Sequence, residues 1–396
     1  MIEALSTTPS PYMRRLLKIT ISLRKRRRMF TRMVNPIIGK LLFVAIGASM
    51  WIWMQAYVKV QIALYGESVL KPRNRSVPDE FYSDSFGRHE YAKLTNITMH
   101  YVTKGCDVEA SENRPLLVLL HGFLDFWYIW NRQIPILGED FWYVRQWQAH
   151  DHDPGHKRRV VIVGHDWGGM IGFCFATMYE NMMDKMVIIN GMHPLAFSKQ
   201  LFRSLSQMRM SWFMIPFRQP VVPEQYLMLK DLMFFDKLHK PFTTEEKNAH
   251  KYVFSQQGAL TGALNYYRSF NNDSDDLKKL PYRKINVSTL ILWAEKDEFL
   301  TRRIAVYNQR WLNNSELVYY ARSGHWLIRE CSEQVTERIR RFAHDTMPRA
   351  MTNTANDRKS YVKCRESTKP TPSRSWILRL FAWLPRNTKL PKLMEE

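Results

Sequence analysis

The stretch VVIVGHDWGGMIG, residues 160–172, joins four apolar residues to a glycine-rich turn and then to an apolar helical start. An unbroken run of this kind suits a strand buried on both faces. A G-x-D-x-G turn between strand and helix lifts its central residue off the sheet edge and sets it at a helix N-terminus. The commoner form of this turn carries serine; here the central residue is Asp166. Gly164, Gly168 and Gly169 permit the tight turn and close helix–strand packing. An aspartate is ionised at neutral pH and needs no base to attack. Attack on an ester or amide would leave an anhydride, whereas displacement at a saturated carbon leaves an alkyl ester. That ester must then be hydrolysed, which calls for a histidine and an orienting acid further along the chain.

Both follow in that order. LILWAEKDEF, residues 290–299, ends a strand and presents Asp297; ARSGHWLI, residues 321–328, presents His325 before a final helix at about 330–342. The backbone N–H groups of Trp167 and of Phe123, in the turn HGFL at 121–124, are the expected oxyanion donors. Further strands are expected at 97–102, 116–120, 185–189 and 289–293. The fold class is therefore α/β, a mostly parallel sheet with helices on both faces. From about 195 to 280, Met-, Phe- and Tyr-rich helical segments interrupt the alternation and are expected to form a cap over a pocket.

The chain of 396 residues carries a net charge of +21. Residues 1–40 contribute +9 and residues 346–396 contribute +7, so the 305 residues between them are nearly neutral. No nucleic-acid-binding pattern accompanies this basicity, and no nucleic-acid partner is expected. Leu41 to Val58, LLFVAIGASMWIWMQAYV, holds eighteen residues without a charge, which reaches the length of a membrane span. Seven Lys/Arg precede it within about twenty residues and four follow, predicting a cytosolic N-terminus. Five N-x-S/T sequons, at Asn74, Asn96, Asn272, Asn286 and Asn313, are compatible with a lumenal domain. The organisation expected is a basic segment at 1–40, a transmembrane anchor at 41–62, a hydrolase domain at 63–345 and a basic, disordered tail at 346–396. Cys106, Cys174, Cys331 and Cys364 form no C-x-x-C pair, so neither a disulfide framework nor a metal site is expected, and no cofactor is implied.

The motifs HGFLDFWYIW, VGHDWGGMIG, INGMHP, YVFSQQGALTGALNYYR, LWAEKD and SGHWL together resemble the epoxide hydrolases of the α/β-hydrolase fold. The likeness covers about residues 81–342 and is greatest for the membrane-anchored epoxide hydrolase 4 type. It implies that Asp166 opens an epoxide while His325 and Asp297 activate the hydrolytic water. It also implies a cap tyrosine that donates to the epoxide oxygen, at Tyr267 in NYYR. An endoplasmic-reticulum membrane and apolar, lipid-like epoxides are the expected setting and substrates.

Three departures stand against this pattern. The first of the family's two cap tyrosines, about seven residues before Pro220, is replaced by Phe213, which cannot donate, and Leu124 replaces the proline of the HG-x-P turn. After FWYV at 141–144 the chain runs RQWQAHDHDPGHKRR straight to the elbow strand, so most of a strand–helix crossover is expected to be missing. Two other readings stand beside the epoxide hydrolase: a haloalkane dehalogenase-type hydrolase, and a catalytically impaired membrane-bound isoform.

Overall fold

A computed structural model describes residues 36–93, 98–104, 115–143, 159–270 and 279–344, and the backbone of 360–362. The basic N-terminal segment before residue 36, most of the C-terminal tail, and Asn96 and Asn272 lie outside the described residues.

The frame is a seven-stranded parallel sheet in the order β4-β3-β5-β6-β7-β8-β9. Its strands are β3 (Leu116–Leu120), β4 (Trp142–Tyr143), β5 (Val160–His165), β6 (Met183–Ile189), β7 (Ser288–Ala294), β8 (Ser315–Tyr320) and β9 (Ser360–Val362). All six residues of β5 are buried, which is why its first four read as a continuous apolar run. On one face of the sheet, Ile162, Met186, Ile188, Ile291 and Trp293 join a core with Met170, Phe173 and Ala176 of helix α2 (Trp167–Met178). On the other, Leu117, Val161, Val163, Val187, Ile189, Leu290 and Leu292 meet Val335 and Ile339 of the last helix, Ser332–His344. The sheet is thus covered on both sides, as parallel sheets require.

At the start of the expected gap, the backbone of Trp142–Tyr143 pairs in parallel with β3 at Leu116 and Leu117. Strands β1 (Arg88–Lys93) and β2 (Thr98–Thr103) form a separate antiparallel pair. Residues 144–158, on which the rest of that expectation falls, lie outside the described residues.

The apolar helix α1 spans Pro36–Tyr65, longer at both ends than 41–62, and is long and apolar enough to cross a membrane. Ile37, Leu41, Val44, Ile52, Val60 and Leu64 are exposed, while Phe43, Met54 and Val58 are buried. The buried stripe packs on the cap. A Cβ at Gly47 would run into Ile215, and Trp53 and Tyr57, stacked on each other at 5.3 Å, both meet Tyr226 edge-on.

The cap comprises α3 (Pro194–Leu201), α4 (Leu205–Met210), α5 (Val222–Leu238), α6 (Thr244–Ser255) and α7 (Ala259–Ser269). Helix α5 is broken at 229–232, where Lys230, Asp231 and Leu232 take positive φ. Thr243 and Glu246 close a reciprocal N-terminal cap on α6. Polar ties hold the cap over the sheet. Gln207 Nε2 donates to the Phe299 carbonyl at 2.7 Å, and its Oε1 accepts from Thr301 N at 2.9 Å. Glu246 takes Arg132 at 2.9 Å and Arg329 at 3.1 Å. Cys174 is a free thiol on α2 and Cys331 is disulfide-bonded.

Candidate active site

The turn after β5 holds Asp166 at φ 52, ψ −115, a conformation that L residues rarely adopt. Such strain persists only where the surroundings enforce it. Here a Cβ at Gly168 would collide with the Leu120 carbonyl of β3, so the helix can start only with glycine against that strand. The Asp166 N–H donates to the Ile189 carbonyl at 3.2 Å, tying the turn to β6. Asp166, at the strand end, is 7% exposed.

The two carboxylate oxygens of Asp166 have different neighbours. Oδ1 accepts from Phe123 N at 3.0 Å, whereas Oδ2 lies 3.7 Å from His325 Nε2. The other imidazole nitrogen, Nδ1, is 2.9 Å from Asp297 Oδ2. Asp297 is in turn fixed by the loop after β7: Oδ1 accepts from Phe299 N at 2.7 Å and Leu300 N at 2.9 Å. Asn190, at the end of β6 with φ 44, donates to Asp297 Oδ2 and accepts from Ala294 N at 3.1 Å. Nothing in the local sequence around INGMHP assigned Asn190 this role; only the adjacency of β6 and β7 brings it to the acid.

Burial alone would lower the His325 pKa, but the Asp297 carboxylate, with Asp166 and Glu298, outweighs it and pushes the imidazole up to about 9. For Asp297 burial opposes ionisation, yet His325 and the surrounding donors hold its carboxyl below the usual value. Tyr267, from the last turns of α7, is 6% exposed. Burial and then the nearby Asp166 charge raise its phenol well above the ordinary value, so it stays protonated and able to donate.

The walls around these groups are aromatic. Tyr267 meets Phe123 at 4.7 Å, Trp167 at 5.2 Å, and Phe213 and Phe217 at 5.7 Å each. Phe213 also meets Phe299, which packs on His325 at 4.9 Å. The structure thus brings together Asp166, Asp297, His325, Tyr267, Phe123, Trp167 and Phe213. Trp167 is the first residue of α2, directly after the elbow. Leu124 adopts φ 56, a conformation closed to proline, so this turn differs from the one an HG-x-P sequence would impose.

One further cluster escaped the sequence reading. Asp125, His239 and His250 are all buried, with ligand atoms within 4.8 Å of one another. They are spread over more than a hundred positions, so no local spacing announces them.

Residues 139–330 match the α/β hydrolase fold family. Epoxide hydrolase 4 of Mus musculus is 29% identical over 281 residues, covering 61% of this chain and 76% of that protein. Epoxide hydrolase 1 of Caenorhabditis elegans is 28% identical over 317 residues, covering 71% and 75%. An epoxide hydrolase from Bacillus megaterium, solved with an inhibitor, superposes with a TM-score of 0.52 at 21% identity, over 64% of this chain and 99% of its own. The chain has the α/β-hydrolase fold and is similar in sequence to the epoxide hydrolases.

Proposed function

We propose that this chain hydrolyses epoxides through a covalent ester on Asp166. The observation that carries this reading is the unequal placement of the Asp166 oxygens, one on a backbone donor and the other facing His325. Oδ2 attacks an epoxide carbon, the ring C–O bond breaks, and the oxygen takes its proton from Tyr267. An alkyl ester on Asp166 results. His325 then removes a proton from water, which adds to the ester carbonyl carbon. The charge on Oδ1 is met by Phe123 N–H, already in place, and by Trp167 N–H. Collapse breaks the ester bond; the leaving oxygen takes the proton held by His325 and departs as the diol, and the carboxylic proton of Asp166 passes to the Tyr267 phenolate.

The charge arrangement suits this order. In the resting site the imidazole holds its proton up to about pH 9, with Asp166 among the causes. Alkylation neutralises Asp166 and removes that contribution, so His325 releases its proton to solvent more readily once the ester exists, and the neutral ring is then the base. The aromatic cap favours apolar, lipid-like epoxides, and helix α1 would present the domain at a membrane.

The test is His325→Ala. Attack needs no base but hydrolysis does, so this variant should accumulate a stoichiometric alkyl adduct on the Asp166 peptide, read by mass spectrometry. A folded variant that binds epoxide yet forms no adduct rejects the mechanism. Membrane orientation is tested separately. The seven-to-four Lys/Arg asymmetry and the exposed Asn74, Asn286 and Asn313 favour a lumenal domain in the endoplasmic reticulum. Protein made in microsomes should lose apparent mass on glycosidase treatment; digestion of the domain by protease added outside sealed vesicles would reverse the orientation.

A further inference from the structure

Behind the catalytic loop lie three groups that the proposed reaction does not use. Asp125 follows the HGFL turn, His239 ends α5, and His250 lies on α6; Asp125 is 4% exposed and both histidines 0%. His250 Nε2 is 3.2 Å and His239 Nε2 is 3.6 Å from the same oxygen, Asp125 Oδ1.

The neighbours decide where the ring protons sit. His250 Nδ1 is 2.7 Å from the Glu246 carbonyl, which can only accept, so Nδ1 carries the proton. The other nitrogen of His250, Nε2, faces the Asp125 carboxylate. His165 repeats the pattern on the other oxygen. Its Nε2 is 3.0 Å from the His325 carbonyl and must donate there, while Nδ1 is unpartnered and 3.8 Å from Asp125 Oδ2. His239 makes no hydrogen bond through either nitrogen. Against these acceptors, Trp326 Nε1 donates to Asp125 Oδ2 at 3.3 Å. The buried Arg329 guanidinium is turned away, toward Glu246, the Tyr128 carbonyl and Asn131.

A buried carboxylate ringed by imidazole nitrogens in a water-free interior needs a positive centre beside it, and leaving it without one is costly. A divalent cation supplies that centre. Zn²⁺ bonds to nitrogen and oxygen at about 2.0–2.1 Å and in tetrahedral arrangement, which puts neighbouring ligand atoms roughly 3.3 Å apart. The separations of 3.2 and 3.6 Å bracket that spacing. The His250 Nδ1–H donated to a backbone carbonyl is also the support a metal-bound imidazole commonly has.

We propose that Asp125, His239 and His250 form a structural binding site for a divalent transition-metal ion of the Zn²⁺ class. The ion ties the loop that carries Phe123 to cap helices α5 and α6. Through Trp326 and His165 it also braces the segment holding His325. Local spacing could not reveal the site, because its ligands come from three separate elements.

The test uses the full chain in detergent, without a polyhistidine tag, stripped with a chelator and then given Zn²⁺ alone. One equivalent of Zn²⁺ per chain should remain after dialysis, and Tm should rise on adding Zn²⁺ and fall again with chelator. Asp125→Asn and His250→Gln should each weaken Zn²⁺ binding at least tenfold. His325→Gln should retain the full equivalent while losing turnover, which separates this site from the catalytic one. If those two ligand variants do not fold, the parent and His325→Gln are loaded with Co²⁺. X-ray absorption should then show an N/O shell with two imidazoles in both. The proposal is overturned if the parent takes up no stoichiometric metal and its Tm ignores Zn²⁺, in which case protons hold the cluster. It is equally overturned if the metal is lost with His325→Gln, or if the Co²⁺ shell lacks imidazole.

Discussion

The molecule holds two buried carboxylate–histidine clusters, joined through His165, and they are built on opposite principles. In the first, Asp297 receives Phe299 N, Leu300 N, Asn190 and His325, so donors and acceptors match without an added ion. In the second, Asp125 faces three imidazoles, two of which already use the far nitrogen on a backbone carbonyl, His250 on that of Glu246 and His165 on that of His325. Burial and composition are alike; hydrogen-bond direction is not. A matched cluster is ready for proton transfer, because its histidine has a fixed orientation and an acid to steady its charge. A mismatched one calls for a cation. The contrast shows that the identity of buried residues says less than where their protons can go.

The hardest blow to the first cluster is Asp166→Asn, which removes the attacking carboxylate while keeping its shape. Loss of a nucleophile costs on the order of 10⁴-fold or more. Diol formation from an epoxide should fall by at least that factor with the fold unchanged by circular dichroism. Activity within tenfold of the parent would show that Asp166 is not the nucleophile.

A smaller effect is expected at the cap donors. Removing one pre-positioned donor to developing negative charge typically costs about 10²–10³ in rate. Tyr267→Phe should slow alkylation of Asp166 by that order in single-turnover measurements. Phe213→Tyr, changing a ring 5.7 Å from Tyr267, should speed it. Haloalkanes assayed alongside should not alkylate either protein; faster alkylation by a haloalkane than by an epoxide would favour the dehalogenase reading.

The smallest expected effect is thermodynamic and sharpens the contrast directly. The His325 pKa rises from 6.5 to about 9 on folding. Its contribution to stability is therefore fully present below pH 6.5, declines as pH rises and is gone above about 9. In denaturant unfolding from pH 6 to 10, the parent should lose stability across this window while His325→Gln loses less. Parallel pH profiles for the two would contradict the ion-pair assignment.

The order of Asp166, Asp297 and His325 was legible in the sequence because each follows a strand, and strand ends carry local signals: VVIVGHDWGG, LWAEKD and SGHWL. The apolar helix was legible for the same reason, since length and charge-free composition are local properties. Its docking was not. That Gly47 lies against Ile215, and Trp53 and Tyr57 against Tyr226, depends on where the cap folds back. The same limit hid Asn190 behind Asp297, and it hid the cluster of Asp125, His239 and His250. The chain by itself determined a parallel α/β sheet, an elbow carrying a carboxylate and a histidine to follow it, because backbone propensity and apolar periodicity act over a few residues. Only the tertiary structure decided which donors meet which acceptors, and that residues 142–143 pair with β3. Hydrogen-bond direction and sheet adjacency arise between segments that are distant in the chain, and no local pattern encodes them.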